Sequence, residues 1–302
     1  MNPGTPPDSA HDPVVRREAL IRDFGPRLAA VALDVDGTLT DAQHRVSAAN
    51  IAALRRLDEA GIPVVVVTGR ALRTASATLE DAGIHGYVAG CNGAVIAHLP
   101  TGEIVREQPL EPDVTRAMIQ LAEQEDLTCI VFTREAIHLN RSGPQGRHEQ
   151  FMVAANTGVP VEVTDLNSIP AESVLKLMFA AEPARLDDVT PAVQDITSVW
   201  ERSLDDWAET CHPQATKWAA LRVILDALQI PAHLVAGAGD GGNDISWLTQ
   251  IGLSAAMANA RPELVAVTDI QLGHHLDDAA ADFIDALLQY RQGSSSQRTE
   301  MD

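Results

Sequence analysis

Two carboxylates two residues apart, Asp34 and Asp36, follow the apolar run at 28–33 and precede a Gly37-Thr38 turn. A strand that ends this way leaves both acids at its carboxyl end, the edge of an open α/β sheet where ligands bind. A second acid-rich segment, Gly-Asp-Gly-Gly-Asn-Asp at 239–244, follows the apolar run at 233–238 and carries Asp240, Asn243 and Asp244. Thr68 comes after a proline and four consecutive valines, and Lys217 opens a helical pattern. Clustered carboxylate oxygens suit magnesium, whereas zinc prefers Cys and His. Phosphoryl transfer requires a nucleophile, an acid/base and positive charge on the transferring group, and these residue types supply all three. Asp34 can attack phosphorus, and Asp36 can protonate the leaving oxygen and later activate water. Lys217 and magnesium can offset charge, Thr68 and Asn243 can hydrogen-bond phosphate oxygens, Asp240 can hold the metal, and Asp244 can orient a water or Lys217.

The elements that must position these residues read as a doubly wound pattern. Ser47 caps a helix that runs to Ala60, with Gly61 just past its end. The valine run at 63–67 has the fully apolar character of a buried parallel strand. Strand, helix and strand form a βαβ unit with a right-handed crossover, which predicts Thr68 beside Asp34 on one sheet edge. A helix over 71–82, stopped by Gly83, and a short strand at 87–89 lead into Gly90-Cys91-Asn92-Gly93. The helix start after Gly69 and Arg70 offers amides to phosphate oxygens, so Thr68, Gly69, Arg70 and Asn92 are candidate substrate-binding residues. Thr68 also reads as an ordinary helix cap.

From 94 to 204 the strands are less apolar and the loops longer, which predicts an α+β domain inserted into the doubly wound one. Strands are expected at 94–98, 129–133, 175–180 and 198–202, and helices at 112–125, 150–156 and 184–196. Arg134, His138, Arg141, Arg147 and His148 make a local basic cluster. Within it, Arg141 and Arg147 bound a loop that can face a substrate or simply be solvated. Lys176, in an apolar strand, is expected to snorkel or to mark an outward face. The first pattern resumes near 205, with a Thr216-capped helix at 217–228, strands at 233–238 and 253–257, a short helix at 245–249 and a last helix over 278–290. The expected division is an N-terminal tail at 1–24 that ends in a short helix, a core of 25–93 and 205–291, a cap of 94–204, and a mobile tail at 292–302.

The chain has 302 residues, enough for two domains, and a formal net charge of -20. That charge argues against a nucleic-acid polymer or an anionic membrane as partner. Three cysteines without CxxC spacing argue against disulfides and a zinc site. The absence of a long apolar run or an h-region points to the cytoplasm. Only two lysines occur, Lys176 and Lys217; the scarcity reads either as compositional bias or as marking places where a compact ammonium is not interchangeable with a guanidinium.

The segments DVDGTL at 34–39, VTGR at 67–70, Lys217, GDGGND at 239–244 and AMANA at 256–260 together resemble the ordered motifs of the haloacid dehalogenase superfamily of phosphatases. The Asn92-Gly93-Ala94 step and the long insert resemble its Cof-type branch with a type IIB cap. That resemblance implies a Rossmann-like α/β core, a small phosphate ester as substrate and magnesium as cofactor. It further implies Asp34 as nucleophile and metal ligand, Asp36 as acid/base with its carbonyl on the metal, Thr68 on the phosphate and Lys217 beside the nucleophile. Asp240 is implied as a metal ligand, with Asn243 and Asp244 in support. The chain departs from the pattern at Trp218, Trp247 and the pair Asp277-Asp278, where Gly, Met and Asp-Gly are usual. The tryptophans either narrow the active edge or fill core. A phosphomutase of the same superfamily is the nearest alternative. A phospho-accepting receiver is disfavoured by the roughly 150 residues between Thr68 and Lys217, which fit an inserted domain. A binding protein without turnover is the third alternative.

Overall fold

The computed structural model describes residues 13–299, so the Pro-rich stretch at 1–12 lies outside the described residues. In chain order its strands are Ala30–Leu33 (β1), Val64–Val67 (β2), Gly86–Gly90 (β3), Val95–Leu99 (β4) and Glu103–Glu107 (β5). Thr128–Phe132 (β6), Ile137–Leu139 (β7), Val161–Val163 (β8), Lys176–Ala180 (β9), Glu201–Leu204 (β10) and Trp207–Cys211 (β11) follow. The last are Val235–Gly239 (β12), Leu253–Ala256 (β13) and Ile270–Gln271 (β14). The chain forms two compact units, Met1–Val65 with Ile224–Asp302, and Val66–Val223.

In the first unit the strands run in the order β14-β13-β12-β1 and on to the first residues of β2. β1, β12, β13 and β14 are mutually parallel, with Leu33 opposite Ala238 and Gly239 opposite Ala256. Every residue of β1, β12 and β13 is buried, as parallel strands are when helices cover the sheet. Helix Ala48–Glu59 starts where expected, with the Ser47 hydroxyl accepting a hydrogen bond from the Asn50 amide at 3.1 Å. Helix Pro13–Phe24 buries Ile21 and Phe24. Helix Ala279–Thr299 packs against both of these, and Arg56 grips Asp285 with two hydrogen bonds of 2.7 and 2.8 Å. This last helix runs past its expected end at 290, continuing through Gly293 and Ser294 to Ser296 as far as Thr299. Once a helix is nucleated each further residue adds a hydrogen bond, and a single Gly costs only about 1 kcal/mol.

In the second unit β2 continues into β3, β4 and β5. The strand expected at 94–98 within the insert is β4, and it pairs antiparallel with β3. The turn at Cys91–Gly93 is short enough to return the chain directly, and antiparallel neighbours need no longer link. A separate six-stranded sheet has the order β10-β11-β9-β6-β7-β8. Helices Pro112–Gln124 and Pro183–Gln194 lay Met118, Leu186 and Val189 on Cys129, Leu177 and Phe179 of that sheet. Its strand β11, beyond residue 204, is not anticipated from the sequence. Helix Arg147–Ala155 begins three residues before the expected start and takes Arg147 and His148 out of the loop.

His148 is 2% exposed, with Nδ1 2.9 Å from the Thr128 hydroxyl and its ring edge-on to Trp207. Burial, helped by the Arg147 charge, pushes its pKa below 6.5, against the opposite pull of Asp206 and Glu182. The unfolded chain therefore binds the proton more readily, and this contribution to stability is complete above about pH 6.5 and is lost as the pH falls below it. The expected result is a urea midpoint that declines from pH 7.5 to 5.5 more steeply for the wild type than for His148→Gln. Parallel declines would refute it.

Candidate active site

β1 ends at Leu33, and the Asp34 amide donates to the Ala238 carbonyl at 3.1 Å. That bond carries the ladder one residue past the strand and sets Asp34 beside the end of β12, one residue before Asp240. Immediately afterwards the amides of Thr38, Leu39 and Thr40 all turn back to the Val35 carbonyl. Gly37, at φ +66°, makes that turn possible, and a Cβ there would fall 2.0 Å from Asp240 Oδ2. Asn259 clamps the approach, donating from Nδ2 to the Gly37 carbonyl at 2.9 Å and to Asp240 Oδ2 at 3.1 Å.

Asp34, Asp240 and Asp244 each bring a carboxylate oxygen within 4.8 Å of the others. Asp34 is 4% exposed and Asp244 fully buried. Asp244 organises its own loop, accepting from the Asp240 and Gly241 amides at 3.1 and 2.9 Å and from Trp247 Nε1 at 2.8 Å. Trp247 is wholly buried, which answers the question its sequence position left open: it fills core and orients an acid. Asn243 lies in the Gly242–Asp244 turn, half-buried. Asp36 is not one of the three, and its carboxylate Oδ1 lies 3.8 Å from His44 Nδ1. Three hard oxygen donors at this spacing fit a magnesium-like cation, which takes one or two carboxylates and completes its shell with water and substrate oxygens. The three cysteines are free and buried, and none belongs to this group.

The remaining expected site residues lie in the second unit. Thr68 is 1% exposed. Its amide donates to Ala89 O, its carbonyl accepts from the Asn92 amide, both at 2.9 Å, and its hydroxyl accepts from the Arg70 amide at 3.2 Å. The Arg70 carbonyl accepts from the Cys91 amide at 2.7 Å, so the loop at 68–70 and the turn at 91–93 are sewn together. Asn92 adopts a left-handed backbone, φ +57°, and its side-chain amide donates to Glu209 Oε1 at 2.7 Å. Lys217 is 3% exposed and opens helix Lys217–Leu228, capped as expected by Thr216, whose hydroxyl accepts from the Ala219 amide at 3.0 Å. Trp218, next to it, is half-buried.

The basic cluster is largely offset by neighbouring acids. Arg134 pairs with Glu107 and Glu135, Arg141 with Asp126, and Arg147 with Asp206 at 3.4 Å. Lys176 does not snorkel. It is 4% exposed, and its ammonium lies 3.2 Å from Glu209 Oε2. Sequence reasoning passed over Glu209 altogether, and Asn259 appeared only as a letter in a motif.

Acids gathered at the carboxyl ends of neighbouring parallel strands, in a chain with a second sheet of its own, define an α/β enzyme of the doubly wound, capped class. A family model described as haloacid dehalogenase-like hydrolase matches residues 31–284, and the chain belongs to that family. Phosphatase YwpJ of Bacillus subtilis is 28% identical over 264 residues, 79% of this chain and 92% of its own. The HMP-PP phosphatase of an Enterobacter species is 27% identical over 258 residues, covering 84% and 93%. A haloacid dehalogenase-like hydrolase from Bacteroides thetaiotaomicron superposes with a TM-score of 0.78 over 85% of this chain and 98% of its own, at 22% identity. The mixed α/β architecture with a cap is thus that of the family, and the chain is a hydrolase rather than a receiver. Among the described residues no helix is long and apolar enough to cross a membrane.

Proposed function

We propose that this hydrolase is a cytoplasmic, magnesium-dependent phosphatase that cleaves a small phosphate monoester through an aspartyl-phosphate intermediate. The observation that carries the reading is the buried Asp34 carboxylate within 4.8 Å of those of Asp240 and Asp244. The phosphatase names of its relatives support the same chemistry. In this reading an Asp34 oxygen attacks phosphorus, the bond from phosphorus to the leaving oxygen breaks, and Asp36 protonates that oxygen. Asp36 then takes a proton from water, the water oxygen attacks phosphorus, and Asp34 and inorganic phosphate are released. Thr68 and Asn243 hydrogen-bond phosphate oxygens, and Lys217 offsets developing charge. The carboxylates of Asp34, Asp240 and Asp244, with the Asp36 carbonyl, would hold magnesium, which supplies positive charge against the substrate's own. The insert at 94–204 is read as the cap that selects the substrate.

The test is a phosphate-release screen over sugar phosphates, nucleotides and pyridoxal phosphate. Release is expected with magnesium, a fall of at least about 10²-fold with EDTA, and recovery when magnesium is returned. Product that forms only with a sugar bisphosphate, without inorganic phosphate, would make the protein a phosphomutase and overturn the reading.

A further inference from the structure

The second unit holds a buried ion pair that the chemistry above does not use. On β9, Lys176 lies opposite Phe132 of β6 and Cys211 of β11. Glu209, two residues before Cys211, shares the Cys211 face because side chains alternate along a strand. Both charged side chains are nearly inaccessible, at 5% and 8%. Burial opposes the Lys176 charge most strongly, but Glu209, together with Cys91 and Cys211, offsets this, and the Lys176 pKa is raised.

Both members of the pair reach away from the six-stranded sheet. Lys176 Nζ donates to the Gly69 carbonyl at 2.7 Å, and Glu209 Oε1 accepts from Asn92 Nδ2 at 2.7 Å. The ammonium also stands 4.3 Å above the Phe132 ring. Two residues further on, Asn156 Oδ1 accepts from the Ala71 amide at 3.4 Å. The loop after Thr68 is therefore held on its carbonyl side by one residue of the insert and on its amide side by another. Buried ion pairs add little net stability compared with apolar pairs of similar volume. A lysine retained here, in a chain with two lysines, calls for a role other than stability.

We propose that Lys176, paired with Glu209, is a positioning residue that fixes the Thr68–Arg70 loop in its phosphate-binding form through the Gly69 carbonyl. The proposal rests on the reading of Thr68 as a phosphate ligand. Thr68 shares a peptide bond with Gly69, so a loop released at Gly69 lets the Thr68 hydroxyl wander, and misplacement by about 1 Å is costly to a site of this kind.

The test uses Lys176→Met and the double variant Lys176→Met with Glu209→Gln. The single variant leaves a buried carboxylate without its partner, and its thermal midpoint falls. The double variant removes both charges, keeps an acceptor for Asn92, and recovers most of that midpoint. Two readouts follow on the full chain: amide hydrogen exchange of the peptide spanning 68–71 without ligand, and calorimetric binding of inorganic phosphate in magnesium. The double variant is expected to exchange about 10-fold faster there and to bind phosphate about 10-fold more weakly despite its restored midpoint. Wild-type exchange, or wild-type phosphate affinity in the double variant, would overturn the proposal and leave the pair a structural contact. A wild-type protein that binds no phosphate at all would instead overturn the proposed function, and the exchange measurement keeps the two failures apart.

Discussion

Asp34→Asn is expected to lower turnover of any phosphate ester the wild type accepts by at least about 10⁴-fold. The amide oxygen carries no negative charge to attack phosphorus, and the amide nitrogen cannot ligate a cation. The side chain keeps its shape, so position 34, 4% exposed, stays packed and the far-ultraviolet spectrum should not change. A second consequence is read without substrate. Magnesium stabilises the native state in proportion to ln(1 + [Mg]/Kd), so the rise in thermal midpoint on adding magnesium should shrink in the variant. Turnover within tenfold of wild type would exclude Asp34 as nucleophile, whatever the metal titration shows.

Gly37→Ala is the second large effect, and it works through the backbone. The position has φ +66°, where a Cβ costs about 1–2 kcal/mol, and that Cβ would meet Asp240 Oδ2 at 2.0 Å and Cγ at 2.6 Å. Either the turn or Asp240 must move, and Asn259 is bonded to both. Expected are a loss of about 2–4 kcal/mol in stability and a fall of about 10²-fold in turnover, with weaker magnesium binding. Gly61→Ala is the control: it has the same φ with nothing within 4 Å of the added Cβ, so it should show the backbone cost alone and full activity. If Gly37→Ala binds magnesium as the wild type does, the turn does not position Asp240.

What was legible in the sequence follows from how local the determining physics is. β1 and β2 announce themselves because a parallel strand buried on both faces is apolar at every position. Ser47 and Thr216 are legible as caps because the partner amide is three residues away. Asp34 and Asp240 were legible because each follows an apolar run, at 28–33 and 233–238, and Asp244 because it closes the same glycine-rich segment as Asp240. β11 was not, because its Glu209 looks like a surface residue until Lys176, 33 positions earlier, is known to neutralise it. Lys176 was misread for the same reason, since burial of either charge depends on a partner that periodicity cannot see. Asn259 holds Gly37 from 222 residues away, and an Asn in a polar loop carries no mark of such a task. Asp278 is a milder case: it takes φ +57°, the backbone a glycine would adopt freely and an Asp tolerates.

The first unit is assembled from the two ends of the polypeptide, with about 160 residues of the second unit between them. A ribosome releases Asp34 long before Asp240 exists. Closing so long a span costs only about 0.6 kcal/mol more than closing one half as long, so the delay is one of time rather than of equilibrium. Throughout that interval β1 must wait for β12, its strand neighbour, with an unpaired apolar edge exposed to aggregation. Premature termination between residues 177 and 234 would yield a product that carries Asp34 and Lys176 yet neither Asp240 nor Asp244, the acids that complete the trio.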